Sequence, residues 1–303
     1  MLIFWGRLVT RNILLGAVGV VAVVLIGFTV VIGFGAERAY EQVLQNARDN
    51  AVGRYEIDGT FHRGWFSSTA ETRIRIQGEV GEVLIPLEHE IIHGPLPMGE
   101  VLRGRSPFAV IFAIFDTRYY ADPVQLPELA DALGGRALLR VTARLGFDQS
   151  VEMLIHSPTI ELDGGRFSSQ GLRGDIDIAD GGKRVDGSIH LGPVKYVDGE
   201  ATGKLAGSTL EFETIADSTA VGATMTGRLD VDEIRLDGKA MKVHFAPSVI
   251  NMSGSPSVGW AGDGSMDVTV GEIRATPTDD QHGEAIVLRG ATLSQRSERA
   301  EDT

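Results

Sequence analysis

The residues with the most chemical potential are His89-Glu90-Ile91-Ile92-His93, which fit the pattern H-E-x-x-H. On a helix, imidazoles four residues apart share one face, about 6 Å apart along the axis. They can then hold zinc with the glutamate beside its bound water. The flanking residues oppose a helix: Pro86 precedes the motif, and Gly94-Pro95 and Pro97 follow it. Val83, Leu84, Ile85 and Leu87 read instead as a strand. There the two imidazoles would stand about 13 Å apart, too far to share an ion. A zinc hydrolase using His89, Glu90 and His93 is therefore a remote alternative. The sequence holds no nucleophile elbow and no phosphate-binding glycine loop. With no cysteine, it also has no disulfide, thiolate metal site or Cys nucleophile. His156, His190 and His244 fall on the wet side of alternating segments. No catalytic constellation emerges, and the expectation is a non-enzymatic protein with no cofactor and no metal.

The elements that would position these residues begin with an apolar run. Residues 13–36 carry no charge, a length that spans a bilayer core as a helix with some tilt. Arg7 and Arg11 precede it and Glu37 follows, which orients the N-terminus to the cytoplasm and the bulk outside. Phe34 occupies a position where signal cleavage would need a small residue, so the helix is expected to be retained. Beyond it, 26 of the 28 Lys and Arg stand against all 41 Asp and Glu. Such a surface repels nucleic acid. The expected organisation is a cytoplasmic N-terminus (1–12), a transmembrane helix (13–36), an amphipathic stem (37–52), an extracytoplasmic β domain (53–294) and a polar tail (295–303). Tyr40, Val43, Leu44, Ala47 and Ala51 supply the helical spacing of the stem.

One further short helix is predicted over Pro127 to Leu133, with Pro127 in its first turn and Gly134 ending it. The rest reads as strand, because apolar and polar residues alternate over 139–147, 172–178, 185–191, 210–214, 241–245 and 266–270. Asp-Gly pairs at Asp58, Asp163, Asp180, Asp186, Asp198, Asp237 and Asp263 suit hairpin turns. The fold class is thus mainly β: an N-terminal membrane helix and stem, then a long, curved antiparallel meander with one or two short helices. Phe108 to Phe115 is apolar on both faces. It reads as a buried central strand, or as the floor of an apolar groove through Phe108, Val110, Phe112 and Ile114. Phe66-Ser67-Ser68 and Phe167-Ser168-Ser169 form a faint internal echo.

The stretch Gly64-Trp65-Phe66-Ser67-Ser68, followed by an apolar strand ending in His93-Gly94-Pro95-Leu96, resembles the YdgA-like family of bacterial inner-membrane-anchored envelope proteins. That family is of undefined function and looks loosely akin to AsmA-like proteins. The resemblance implies that His93 belongs to a turn signature and is not a metal ligand. It further implies a periplasmic protein of the bacterial inner membrane. The alternating strands with little helix to cover them, together with Phe108 to Phe115, lead to the expectation that an apolar sheet face binds lipid or another hydrophobic ligand. The competing expectation is a scaffold that docks an envelope protein partner.

Overall fold

The computed structural model describes most of residues 36–49, together with 55–78, 81–93, 111–216, 223–254, 264–278 and 284–297. The expected membrane helix lies outside these residues except for Ala36, as do Gly94, Pro95, Phe108 and Val110. Among the described residues no helix is long and apolar enough to cross a membrane. The chain is mainly β and its strand pairs are antiparallel. It divides into two compact units, residues 1–117 with 144–147, and residues 118–143 with 148–303.

The first unit is built on a meander of β1 (Tyr55–His62), β2 (Ser67–Gly78) and β3 (Gly81–His93). Residues of β1 alternate between half-buried and exposed, as a sheet with one covered face requires. The cover comes from the helical residues within 36–49. Ala36 and Leu44 are buried, and the Tyr40 ring lies 5.5 Å from that of Phe61. Gly59 makes this close approach feasible, since a Cβ there would stand only 3.1 Å from Leu44 Cδ2. Asp58-Gly59 is therefore not the hairpin turn expected from its sequence; it sits within β1, where glycine makes room for Tyr40.

β4 (Ile111–Tyr119) starts in the first unit and β5 (Leu139–Gly146) ends in it. Between these strands the second unit carries α1 (Pro127–Leu133), with Pro at its start as predicted. Gly134 takes a left-handed φ of 56° and donates its N–H to the carbonyls of Ala130 and Asp131. Leu133 packs with Ala121 and Ile160 into a small buried core, joined by Leu129, Leu162 and Phe167.

The rest of the second unit is eight long strands, up and down. Six of them are each split in two: β6 (Val151–Ser157) with β7 (Ile160–Leu162), β8 (Phe167–Ser169) with β9 (Leu172–Ala179), β10 (Arg184–Leu191) with β11 (Val194–Asp198), β12 (Ala201–Leu205) with β13 (Ser208–Ala216), β14 (Ala223–Val231) with β15 (Ile234–Asp237), and β16 (Met241–Phe245) with β17 (Ser248–Gly254). β18 (Gly264–Pro277) and β19 (Ile286–Ser297) run through. The six breaks lie side by side. Gln170 N–H donates to Pro193 O, Ala206 N–H to Glu233 O, Asp232 N–H to Gly207 O and Ala246 N–H to Glu272 O, all within 3.0 Å. The line continues through Gly271, where a Cβ would meet Pro247 O at 2.7 Å, and through Gly290 at φ 60°. A crease thus crosses all eight strands, set in every strand but β14–β15 by residues that cannot continue a regular ladder: prolines without an N–H, and glycines that admit a close backbone or positive φ.

Candidate functional site

The H-E-x-x-H residues lie on β3, where the alternation of a strand puts His89, Ile91 and His93 on one face. Each histidine is occupied by hydroxyl groups of the first unit. His89 Nε2 lies 2.9 Å from Thr72 Oγ1 and its Nδ1 lies 2.9 Å from Thr117 Oγ1. Tyr40 Oη extends the chain, 2.9 Å from Thr72 Oγ1, and donates to Glu71 O at 2.9 Å. His93 Nε2 pairs with Ser68 Oγ at 3.0 Å. Both side chains are only 1 % exposed. Burial holds both histidines below the ordinary imidazole pKa, so they are neutral. His93 Nδ1 closes no hydrogen bond of good geometry; the Trp65 backbone is near enough to oppose the shift but not to satisfy the atom. No group of three metal-ligating residues gathers among the described residues. The arrangement is a buried polar clasp joining the helical segment, β2, β3 and β4.

The signature residues fall into two classes around this clasp. Ser68 and His93 are its buried partners, and His93 N–H donates to Phe66 O at 2.9 Å. Trp65 and Phe66 are 71 % and 50 % exposed at the tip between β1 and β2. The echo at Ser169 is also buried, but its hydroxyl accepts from Gly171 N–H at 3.1 Å, with no histidine involved. Of the expected groove residues, Phe112 meets Phe147 edge-on at 5.7 Å. Ile114 is 3 % exposed beside buried Ala113, so β4 is covered on both faces there.

The second unit has the clearest sidedness. Residues directly opposite on antiparallel strands share a face. Pairing in register therefore lines up Ile155, Gly174, Ile189, Leu210, Leu229, Ile250, Val268 and Leu293 across eight strands. A parallel row holds Met153, Ile176, Gly187, Phe212, Gly227, Met252 and Met266. A Cβ on Gly187 would stand 2.9 Å from the Phe212 ring. Asp186-Gly187 is therefore also no turn, but a place for a cross-strand aromatic. None of these apolar side chains is fully buried; among the described residues of this unit, the buried apolar ones are Ala121, Leu133 and Ile160 of the core around α1.

The opposite face is wet and charge-sorted. On one side of the crease a depression of about 600 Å³ is lined by Asp175, Asp186, Glu211, Glu213 and Arg228. On the other, one of about 350 Å³ is lined by Ser168, Lys195, Lys204, Glu233 and Arg235. Lys195 faces Lys204, which faces Arg235, three cations abreast. Arg235 donates to Glu233 at 2.7 Å and holds that carboxyl below its ordinary pKa. His156 and His190 lie on this exposed side, as the alternation predicts.

No curated protein and no solved structure matches the chain. A family model described as "bacterial protein of unknown function (DUF945)" covers residues 10–303. The chain therefore belongs to this bacterial family of unknown function.

Proposed function

We propose that this chain is a non-enzymatic envelope protein, tethered to the inner membrane through residues 13–36. In this reading the second unit holds an acyl chain or a similar elongated hydrophobic ligand along its apolar face. The observation that carries the proposal is the apolar register across eight strands, none of whose apolar side chains is fully buried and whose last, Leu293, is exposed. A row of Ile, Leu, Val and Met side chains left open to water is costly, at about 25 cal/mol per Å² of apolar surface. Contiguous exposed apolar surface of this kind marks a binding face. The likeness of Gly64 to Ser68 and His93 to Leu96 to YdgA-like proteins, and more loosely to AsmA-like ones, supports an envelope setting. Organic extraction of the purified full chain followed by mass spectrometry tests the proposal. Stoichiometric lipid is expected, and a lipid-free chain would overturn it.

A second reading, a scaffold for a protein partner, has its own observation. β19 pairs only with β18 among the described residues. It carries exposed Ile286, Leu288 and Leu293. A long apolar edge strand is a template for strand addition. Cross-linking at Leu288 that captures a partner in stoichiometric yield, from a chain free of lipid, would favour this reading over the first.

A further inference from the structure

We infer that the tip of the β1–β2 hairpin, Trp65 and Phe66, is a bilayer-contact element seated in the headgroup layer of the membrane that residues 13–36 enter. The direction of the helical segment along β1 carries the argument. Glu37 pairs with Arg63 at 2.8 Å. Tyr40 stacks on Phe61, Leu44 meets Gly59, and Arg48 donates to Ile57 O at 2.9 Å. Helix and strand therefore run alongside each other in opposite directions. The hairpin tip lies at the end of the helical segment where the apolar run stops, at Ala36. Trp65 is two residues from Arg63, at most about 7 Å of backbone.

The tip is held, not loose. Phe66 O accepts from His93 N–H, and Ser68, two residues on, is pinned to His93. A backbone fixed in this way holds two large aromatic side chains outward, at 71 % and 50 % exposure. Trp is the side chain most suited to the interface, with an apolar body and a single N–H for the wet side. Arg63, paired with Glu37, sets a cation beside it at the level where phosphates lie. The inference rests on the membrane tether proposed above.

The chain contains three tryptophans, Trp5, Trp65 and Trp260. The test uses the full chain with Trp5→Phe and Trp260→Phe, reconstituted into phosphatidylcholine vesicles, so that Trp65 alone reports. Vesicle flotation is read first, then emission with lipids brominated near the headgroup or near the chain end. The expected result is a floating chain whose Trp65 emission is blue-shifted and quenched more by the shallow bromines than by the deep ones. A floating chain whose Trp65 emits as in water, with no quenching by either lipid, overturns the inference and leaves the tether standing. A chain that fails to float overturns both. Phe66→Ala in the same background is expected to reduce the shallow quenching, since the tip then has half its apolar contact.

Discussion

Replacing Gly59 by alanine probes the seat of the helical segment on the sheet. The new Cβ would stand 2.1 Å from Tyr40 Oη and 3.1 Å from both Tyr40 Cζ and Leu44 Cδ2. The phenol must therefore move by more than 1 Å, which breaks its 2.9 Å bonds to Glu71 O and Thr72 Oγ1. Lost hydrogen bonds at about 1 kcal/mol each, plus overpacking of about 1 kcal/mol, give a destabilisation of about 3 kcal/mol. Tyr40→Phe alone removes the hydroxyl and costs about 1–2 kcal/mol, because Thr72 keeps His89 as a partner. In the double variant the worst clash has no atom to meet. The two effects should then fall short of additivity by about 1–2 kcal/mol. Amide hydrogen exchange across β1 and β2 reads the local opening free energy. Strict additivity of the two substitutions would refute the packing described, and so would a Gly59→Ala variant as protected as the parent.

Two shorter predictions follow from the electrostatics. His89 and His93 are neutral in the fold and titrate below the unfolded value of about 6.5, so the unfolded state binds protons first as pH falls. Protection of β2 and β3 should therefore hold above about pH 6.5. Below it, protection should decline by up to about 1.4 kcal/mol per pH unit for each histidine, and His93→Gln should remove one of the two contributions. Lys204→Glu places an anion between Lys195 and Arg235. It should raise stability to urea by about 0.2–1 kcal/mol for each cross-strand pair, with the gain shrinking at high salt.

Much of the fold was legible wherever a local pattern dictates it. Alternation over 139–147 and 185–191 identified the strands Leu139–Gly146 and Arg184–Leu191, and Pro127 with Gly134 bounded α1. Asp163-Gly164 and Asp180-Gly181 do turn the chain, each with a 3-10 turn. Asp58-Gly59 and Asp186-Gly187 mislead because the glycine answers a side chain from elsewhere, Tyr40 or Phe212, which no local window contains. The crease was hidden for a related reason. Its breaks are chemically unlike, Ala206-Gly207 in one strand and Asp232-Glu233 in the next, and they form a line only once the register is known. Strand β3 was predictable from its prolines, whereas the pairing of His93 with Ser68 depends on a contact 25 residues apart. The sidedness of the second unit was visible strand by strand, and its continuity across eight strands was not.

The proposed ligand face is tested most directly by uptake of a fluorescent fatty-acyl probe on the full chain, with one substitution on each side of the same strand. Leu229 stands in the middle of the apolar row, and Thr226 is exposed on the wet side. Leu229→Asp should abolish saturable uptake while hydrogen exchange stays close to that of the parent, and Thr226→Asp should leave uptake unchanged. Equal uptake by both variants, or none by the parent, would contradict a hydrophobic ligand on this face.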